Sequence, residues 1–301
     1  MTYPIIVTHP GPFSEAFLQA WCASGRRVAE IWTSKPEKFG SLLQGASIRI
    51  RDTGPICDPL PDPHAQADAL ITFFSLRIIP QRLLDQFGPL AVNIHPALLP
   101  YYKGPVSRHA LIKDGMADKY GGLTAHVLTQ GIDEGPIIAQ KPVLLGPKET
   151  IPVWEERLAL AAAELMVTEV AHYLESDQKA APQKPGSGCY RSRVEGEFVI
   201  DERKSLEEVR ILLRQFRGGY VLCRPKGGFS KREKTFVNRF AKVLGPPSGT
   251  PAILRFSSIE MDISDARVKL LRPSQIDKLH AKIRHHTLAS RARSIGRRAH
   301  L

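Results

Sequence analysis

Ala69-Leu-Ile-Thr-Phe-Phe-Ser75-Leu-Arg-Ile-Ile-Pro80-Gln-Arg-Leu-Leu-Asp-Gln-Phe87-Gly-Pro-Leu-Ala91-Val-Asn93-Ile-His95 is the stretch on which the fold turns. Its first segment, 69–74, is a short apolar run and reads as a buried strand; 80–87 reads as a helix, and 91–94 as a further short strand. Outward from this unit the pattern repeats. Upstream, Tyr3 to Val7 is a buried strand that ends in Thr-His-Pro-Gly-Pro, a turn. A helix follows, capped by Ser14 and carrying Phe17, Leu18 and Trp21 at helical spacing, and then a strand near 28–33. Downstream of Gly121-Gly122 come strands at 123–128 and 137–143, and a long Ala/Leu/Glu-rich helix runs from Thr150 to about Glu175 with Pro152 in its first turn. Strands that alternate with helices predict an α/β fold: a doubly wound, mostly parallel sheet covered on both faces.

Residues 177–189, Asp-Gln-Lys-Ala-Ala-Pro-Gln-Lys-Pro-Gly-Ser-Gly-Cys, have linker composition. The expected organisation is therefore a catalytic domain over 1–176, a linker over 177–189, a smaller β-rich C-terminal domain over 190–273 and a basic tail over 274–301. In the small domain, Ser205-Leu-Glu-Glu208 has the form of a capping box ahead of Val209, Leu212, Leu213 and Phe216. Short strands are expected at 198–200, 220–223, 235–237, 252–256 and 267–271.

With 301 residues, 43% apolar and 24% charged, the composition is that of a globular protein, and no run of about 18 apolar residues is present to cross a membrane. No secretory signal opens the chain, and a cytoplasmic location is expected. The four cysteines, Cys22, Cys57, Cys189 and Cys223, form no C-x-x-C pair, so neither a zinc site nor a disulfide framework is indicated. His285-His286 lack the spaced partners a zinc site needs, and no metal is expected. Half of the +12 net charge falls in 274–301, where Lys278, Lys282, Arg284, Arg291, Arg293, Arg297 and Arg298 face one acid, Asp277. Such a block reads as a solvated tail, with an arm for nucleic-acid phosphates as the alternative.

The chemistry concentrates in two places. In Leu90-Ala-Val-Asn93-Ile-His95-Pro-Ala-Leu-Leu-Pro100-Tyr-Tyr-Lys-Gly104 a buried run ends in two polar residues two apart. On a strand these share a face, so Asn93 and His95 project together at the carboxyl end, where open α/β sheets keep their ligand crevice. In Gln130-Gly131-Ile132-Asp133-Glu134-Gly135-Pro136-Ile137-Ile138 an acid lies on a glycine-flanked turn between two strands. An acid there orients and charges a histidine, while the glycines let backbone approach a flat ligand. His126 shares a strand face with Thr124; support of the site and a structural role remain equal readings.

Together these elements resemble the folate-dependent formyltransferase family, in which an Asn-x-His-Pro-x-Leu-Leu-Pro segment is followed by Asp-x-Gly-x-Ile-Ile; here they are Asn93 to Pro100 and Asp133 to Ile138. Ser75-Leu-Arg-Ile-Ile-Pro80 is similar to the family's pterin loop, and the likeness runs through most of 60–145. Gly196-Glu-Phe-Val-Ile-Asp201 is similar to the entry of the second domain in two-domain members, which act on methionyl-tRNA or on nucleotide-linked amino sugars. The resemblance implies a formyltransferase-like Rossmann variant that takes its formyl group from 10-formyltetrahydrofolate without a metal. Asn93, His95 and Asp133 are then catalytic, and Leu76, Arg77, Ile78, Ile79, Gln130, Gly131 and Ile132 bind the donor. Two features depart from the pattern: the loop Thr8-His-Pro-Gly-Pro-Phe-Ser14 matches neither the phosphate loop of the purine branch nor the opening of the tRNA branch, and position 97 is Ala where Ser is common. The expected acceptor is a small anionic amine, an amino sugar on a nucleotide; methionyl-tRNA, held through the basic tail, is the alternative. A binder of folate or nucleic acid without catalysis is the reading from another class, and the joint presence of Asn93, His95 and Asp133 counts against it.

Overall fold

The computed structural model describes residues 2–39, 48–55, 57–225 and 235–299. Its centre is β1 (Pro4–Thr8), in which every residue is buried, as a strand covered on both faces requires. Parallel neighbours flank it: β2 (Glu30–Thr33) and the edge strand β3 (Arg49–Asp52) on one side, β4 (Ala69–Phe73) and β5 (Ala91–His95) on the other. Two antiparallel strands, β6 (Gly122–Val127) and β7 (Ile137–Pro142), complete the order β3-β2-β1-β4-β5-β6-β7. The expected mostly parallel sheet is present.

Period-2 alternation sends Ile6 and Ile71 to one face and Ile5, Val7 and Leu70 to the other. The first face packs under α1 (Pro12–Ala23) and α5 (Ile151–Leu165) through Phe17, Trp21, Trp154 and Leu158. The second is covered by α2 (Gln81–Phe87) through Leu83, Leu84 and Phe87. Two short helices, α3 (Ser107–Lys113) and α4 (Ala117–Tyr120), link β5 to β6. The long helix expected to 175 is interrupted: a π turn over Met166–Val170 separates α5 from α6 (Ala171–Glu175).

Beyond residue 190 lie β8 (Val199–Ile200), α7 (Leu206–Gln215), β9 (Val221–Cys223), β10 (Thr235–Val237), β11 (Arg239–Gly245), β12 (Ile253–Leu254), β13 (Ser258–Asp262) and β14 (Arg267–Leu271). They build a three-stranded sheet, β10-β9-β8, and an antiparallel four-stranded one, β11-β14-β13-β12. The capping box is formed: Glu208 N–H donates to Ser205 Oγ at 3.2 Å, and Ser205 N–H to Glu208 Oε2 at 2.8 Å.

The block read as a solvated tail differs most from expectation. Residues Gln275–Ala299 form one helix, α8, which packs on α1 and α5 and whose Leu288, Ala292 and Gly296 are buried; His300 and Leu301 lie outside the described residues. A Cβ at Gly296 would stand 2.1 Å from the Ala20 carbonyl oxygen of α1. Small side chains four residues apart thus allow a close helix crossing that polar composition conceals. His285 pairs with Glu15, Arg291 with Glu156 at 2.9 Å, and Arg293 donates to Gln19 at 3.2 Å. No helix among the described residues is long and apolar enough to cross a membrane.

Candidate active site

Strand β5 delivers Asn93 and His95 to one face, and the antiparallel register sets His126 of β6 opposite Asn93 and Thr124 opposite His95. The four side chains form one polar patch at the carboxyl end of β5. Thr72 on β4 donates its hydroxyl hydrogen to Asn93 Oδ1 at 2.7 Å, which turns the amide nitrogen toward His126 Nε2 at 3.0 Å and Asp133 Oδ1 at 3.2 Å. Thr124, fully buried, donates to the Ala97 carbonyl and accepts from Leu99 N–H and Gln140 Nε2, tying the loop after His95 to the sheet.

Asp133 occupies the tip of the β6–β7 connection in the left-handed region, φ +54°. Non-glycine residues populate that region at a cost of about 1–3 kcal/mol and keep it where surrounding contacts dictate it. Its Oδ2 accepts from Gly104 N–H at 2.8 Å and lies 3.3 Å from His95 Nδ1; its Oδ1 lies 3.4 Å from His126 Nε2. Gly135 has no alternative side chain, since a Cβ there would meet the Val127 carbonyl oxygen at 1.8 Å. Burial alone would raise the Asp133 pKa, but His95, His126 and the Gly104 N–H outweigh it and hold the carboxyl at about 2. At neutral pH the group is a fixed negative charge and a weak base.

His95 is 3% exposed. The partner of its Nε2, the Tyr102 carbonyl at 2.8 Å, can only accept, so Nε2 carries a hydrogen. Burial pushes the ring below its ordinary pKa; Asp133 pulls it up, His126 adds to the lowering, and the net direction is down.

The structure thus gathers Asn93, His95 and Asp133, the three residues singled out as catalytic, and adds His126, for which the sequence left two readings open. The residues expected at the donor site are placed unevenly. Leu76 and Ile78 are exposed on the β4–α2 loop, Ile78 at 82%. Ile79 is buried in the core under α2. Arg77, expected to bind the donor, gives its guanidinium to the carbonyls of Thr53, Gly54 and Asp58 and so pins the loop after β3. Gln130 and Ile132 are exposed and Gly131 half-buried on the turn that leads into Asp133. A cleft of about 350 Å³ opens between Cys57–Leu60 and Leu76–Arg82, and none of Asn93, His95 or Asp133 lines it. Lys103, buried beside the site and 3.6 Å from Glu134, carried no signal in the sequence. Among the described residues no group of His, Cys, Asp or Glu could hold a metal ion, and the cysteines are free.

The family model described as formyl transferase matches residues 63–170, from the approach to β4 through the π turn. The methionyl-tRNA formyltransferase of Roseobacter denitrificans is 27% identical over 286 residues, 88% of this chain and 89% of that protein. Among solved structures, phosphoribosylglycinamide formyltransferase from Bacillus halodurans superimposes with a TM-score of 0.50 at 25% identity, covering 59% of this chain and 96% of that one. The sugar 3N-formyl transferase WlaRD, solved with dTDP and 5-N-formyl-THF, reaches 0.55 at 14% identity over 90% of this chain and 97% of its own, a likeness of fold. Residues 63–170 thus match the formyl transferase domain, and the relatives that align over most of the chain bear formyltransferase names.

Proposed function

We propose that the chain transfers the formyl group of 10-formyltetrahydrofolate to the primary amine of a small anionic acceptor, an amino sugar linked to a nucleotide. The observation that carries the reading is the Asp133 carboxylate, which lies within 3.4 Å of nitrogens of Asn93, His95 and His126 at the carboxyl end of β5. The donor's flat ring is a match for the exposed Leu76 and Ile78 and for the backbone of Gln130–Ile132.

In the reaction the acceptor nitrogen attacks the formyl carbon and a tetrahedral oxyanion forms. The bond from that carbon to N10 then breaks, and the proton lost by the acceptor ends on N10. Asn93 Nδ2, on releasing either His126 or Asp133, and the His95 ring supply N–H groups for the oxyanion; one such donor is commonly worth about 2.7–4 kcal/mol of barrier. To reach the oxyanion through Nε2–H, His95 has to exchange the Tyr102 carbonyl for the formyl oxygen. Asp133, held at about 2, does not keep the proton. Its role is to favour positive charge on the His95 ring as the oxyanion develops.

A second reading, methionyl-tRNA as acceptor, is favoured by the curated relatives at 26–28% identity, which bear that name. Against it, three residues of the basic block, His285, Arg291 and Arg293, are engaged with α1 and α5, so that block is not a free arm. The deciding experiment offers purified enzyme and 10-formyltetrahydrofolate a panel of amines that includes nucleotide amino sugars and methionyl-tRNA, and follows formyl transfer. Turnover of the nucleotide sugars alone is expected; turnover of methionyl-tRNA alone would overturn the preferred acceptor.

A further inference from the structure

The segment with linker composition does not swing free; residues 181–191 lie across both loops that carry the candidate chemistry. At one end Ala181 and Ile137 exchange two backbone hydrogen bonds, each 2.7 Å, just beyond the Asp133 turn. At the other, Cys189 N–H donates to the Pro100 carbonyl at 3.3 Å, Lys103 N–H to the Cys189 carbonyl at 2.9 Å, and Arg191 N–H to the Lys103 carbonyl at 2.7 Å. The approach is close enough that a Cβ at Gly188 would stand 1.9 Å from the Pro100 oxygen. Tyr102, whose carbonyl accepts from His95, lies inside the clamped stretch.

Between the two anchors stands Gln183. Its Nε2 donates to the carbonyls of Asp133, at 2.9 Å, and of Gly135, at 2.8 Å. Both partners are acceptors, so the nitrogen of the carboxamide must face them. One planar NH2 group thereby fixes two carbonyls of a turn whose Asp133 already holds a left-handed backbone. The orientation of that turn decides where the carboxylate points.

We propose that Gln183 is a positioning residue for formyl transfer, holding the Asp133 turn so that its carboxylate meets His95 and the Gly104 N–H, and making the strap 181–191 part of the active site. This rests on the formyl-transfer reading of Asn93, His95 and Asp133.

The test uses the full chain carrying Gln183→Ala or Gln183→Met, the latter filling similar volume without an N–H. Steady-state kinetics with 10-formyltetrahydrofolate and the acceptor used by the wild type are combined with NMR of the His95 ring nitrogens, assigned by their loss in His95→Ala. Misplacement of a reacting group by about 1 Å costs up to about a hundredfold, so kcat is expected to fall about 10- to 100-fold in both variants while donor KM moves less than about threefold. The His95 ring-nitrogen resonances are expected to move in both. Recovery of wild-type kcat by the Met variant would show that Gln183 only fills space and would overturn the inference. Unmoved His95 resonances, with the wild type active, would do the same. A wild type that transfers formyl to no amine would instead sink the functional reading, and the catalytic half of this inference with it.

Discussion

His95 is held between two acceptors, the Tyr102 carbonyl at 2.8 Å and the Asp133 carboxylate at 3.3 Å, in a site that burial makes hostile to charge. A neutral ring satisfies one of them; a protonated ring satisfies both but bears the cost of desolvation. That competition suits a group asked to become positive only as an oxyanion forms beside it. Accordingly His95→Ala and Asp133→Asn are each expected to lower kcat by at least about a hundredfold with the fold intact, checked by steady-state kinetics alongside circular dichroism. Near-normal turnover in either would remove it from the chemistry. The same competition has a sign in stability. Because the folded ring titrates below its ordinary value of about 6.5, the unfolded chain binds a proton in a range where the folded chain does not, so His95 makes stability fall as pH drops below about 6.5 and leaves it level above. His95→Asn should narrow the gap between urea midpoints measured at about pH 7.5 and about pH 5.5. An unchanged gap would mean that His95 is already charged when folded.

At the scale of elements, α8 locks onto α1 where Gly296 meets the Ala20 carbonyl, and a side chain there forces the helices apart. Gly296→Ala is expected to destabilise by about 1–3 kcal/mol, read as a lower Tm, with turnover per folded molecule unchanged; a Tm at or above wild type would show that the crossing has slack. That contact also explains why α8 was illegible as an element. Its buried positions, Leu288, Ala292 and Gly296, include two of the smallest residues, and seven cations between 278 and 298 hide the stripe. By contrast β1, β4 and β5 were readable because strands buried on both faces are continuous apolar runs, and the Asn93–His95 pair because two residues on a strand share a face. Partnership across strands was not readable: His126 faces Asn93 only through the β5–β6 register, which no local pattern specifies. The partners of Arg77, and Gln183 itself, escaped for a related reason. The acceptors of both side chains are backbone carbonyls distant in sequence, and a carbonyl has no residue signature.

For the whole molecule, the question left by the charge is what its +12 is for. The motifs expected to carry the chemistry and to hold the pterin all precede residue 177, so a fragment 1–176 would contain them; yet α8 covers α1, and cutting the chain there would bare that surface. Deletion of the basic block therefore confounds acceptor binding with stability. Charge neutralisation in the full chain separates them. Lys278, Lys282, Arg297 and Arg298 are exposed on α8, whereas Arg291 pairs with Glu156 and His285 with Glu15. If the helix binds tRNA phosphates, changing these four residues to Gln should raise acceptor KM and reduce the slope of log KM against log salt by about 0.7–0.9 for each phosphate no longer neutralised. A nucleotide sugar spans one or two phosphates and needs no such surface. The engagement of α8 with α1 and α5 argues that the block serves the fold, so the quadruple variant is expected to keep acceptor KM within about twofold, with the same salt slope, as removal of merely solvated charges should. The measurement is acceptor KM for both proteins at two salt concentrations, and a large rise at low salt that shrinks at high salt would transfer the assignment to methionyl-tRNA.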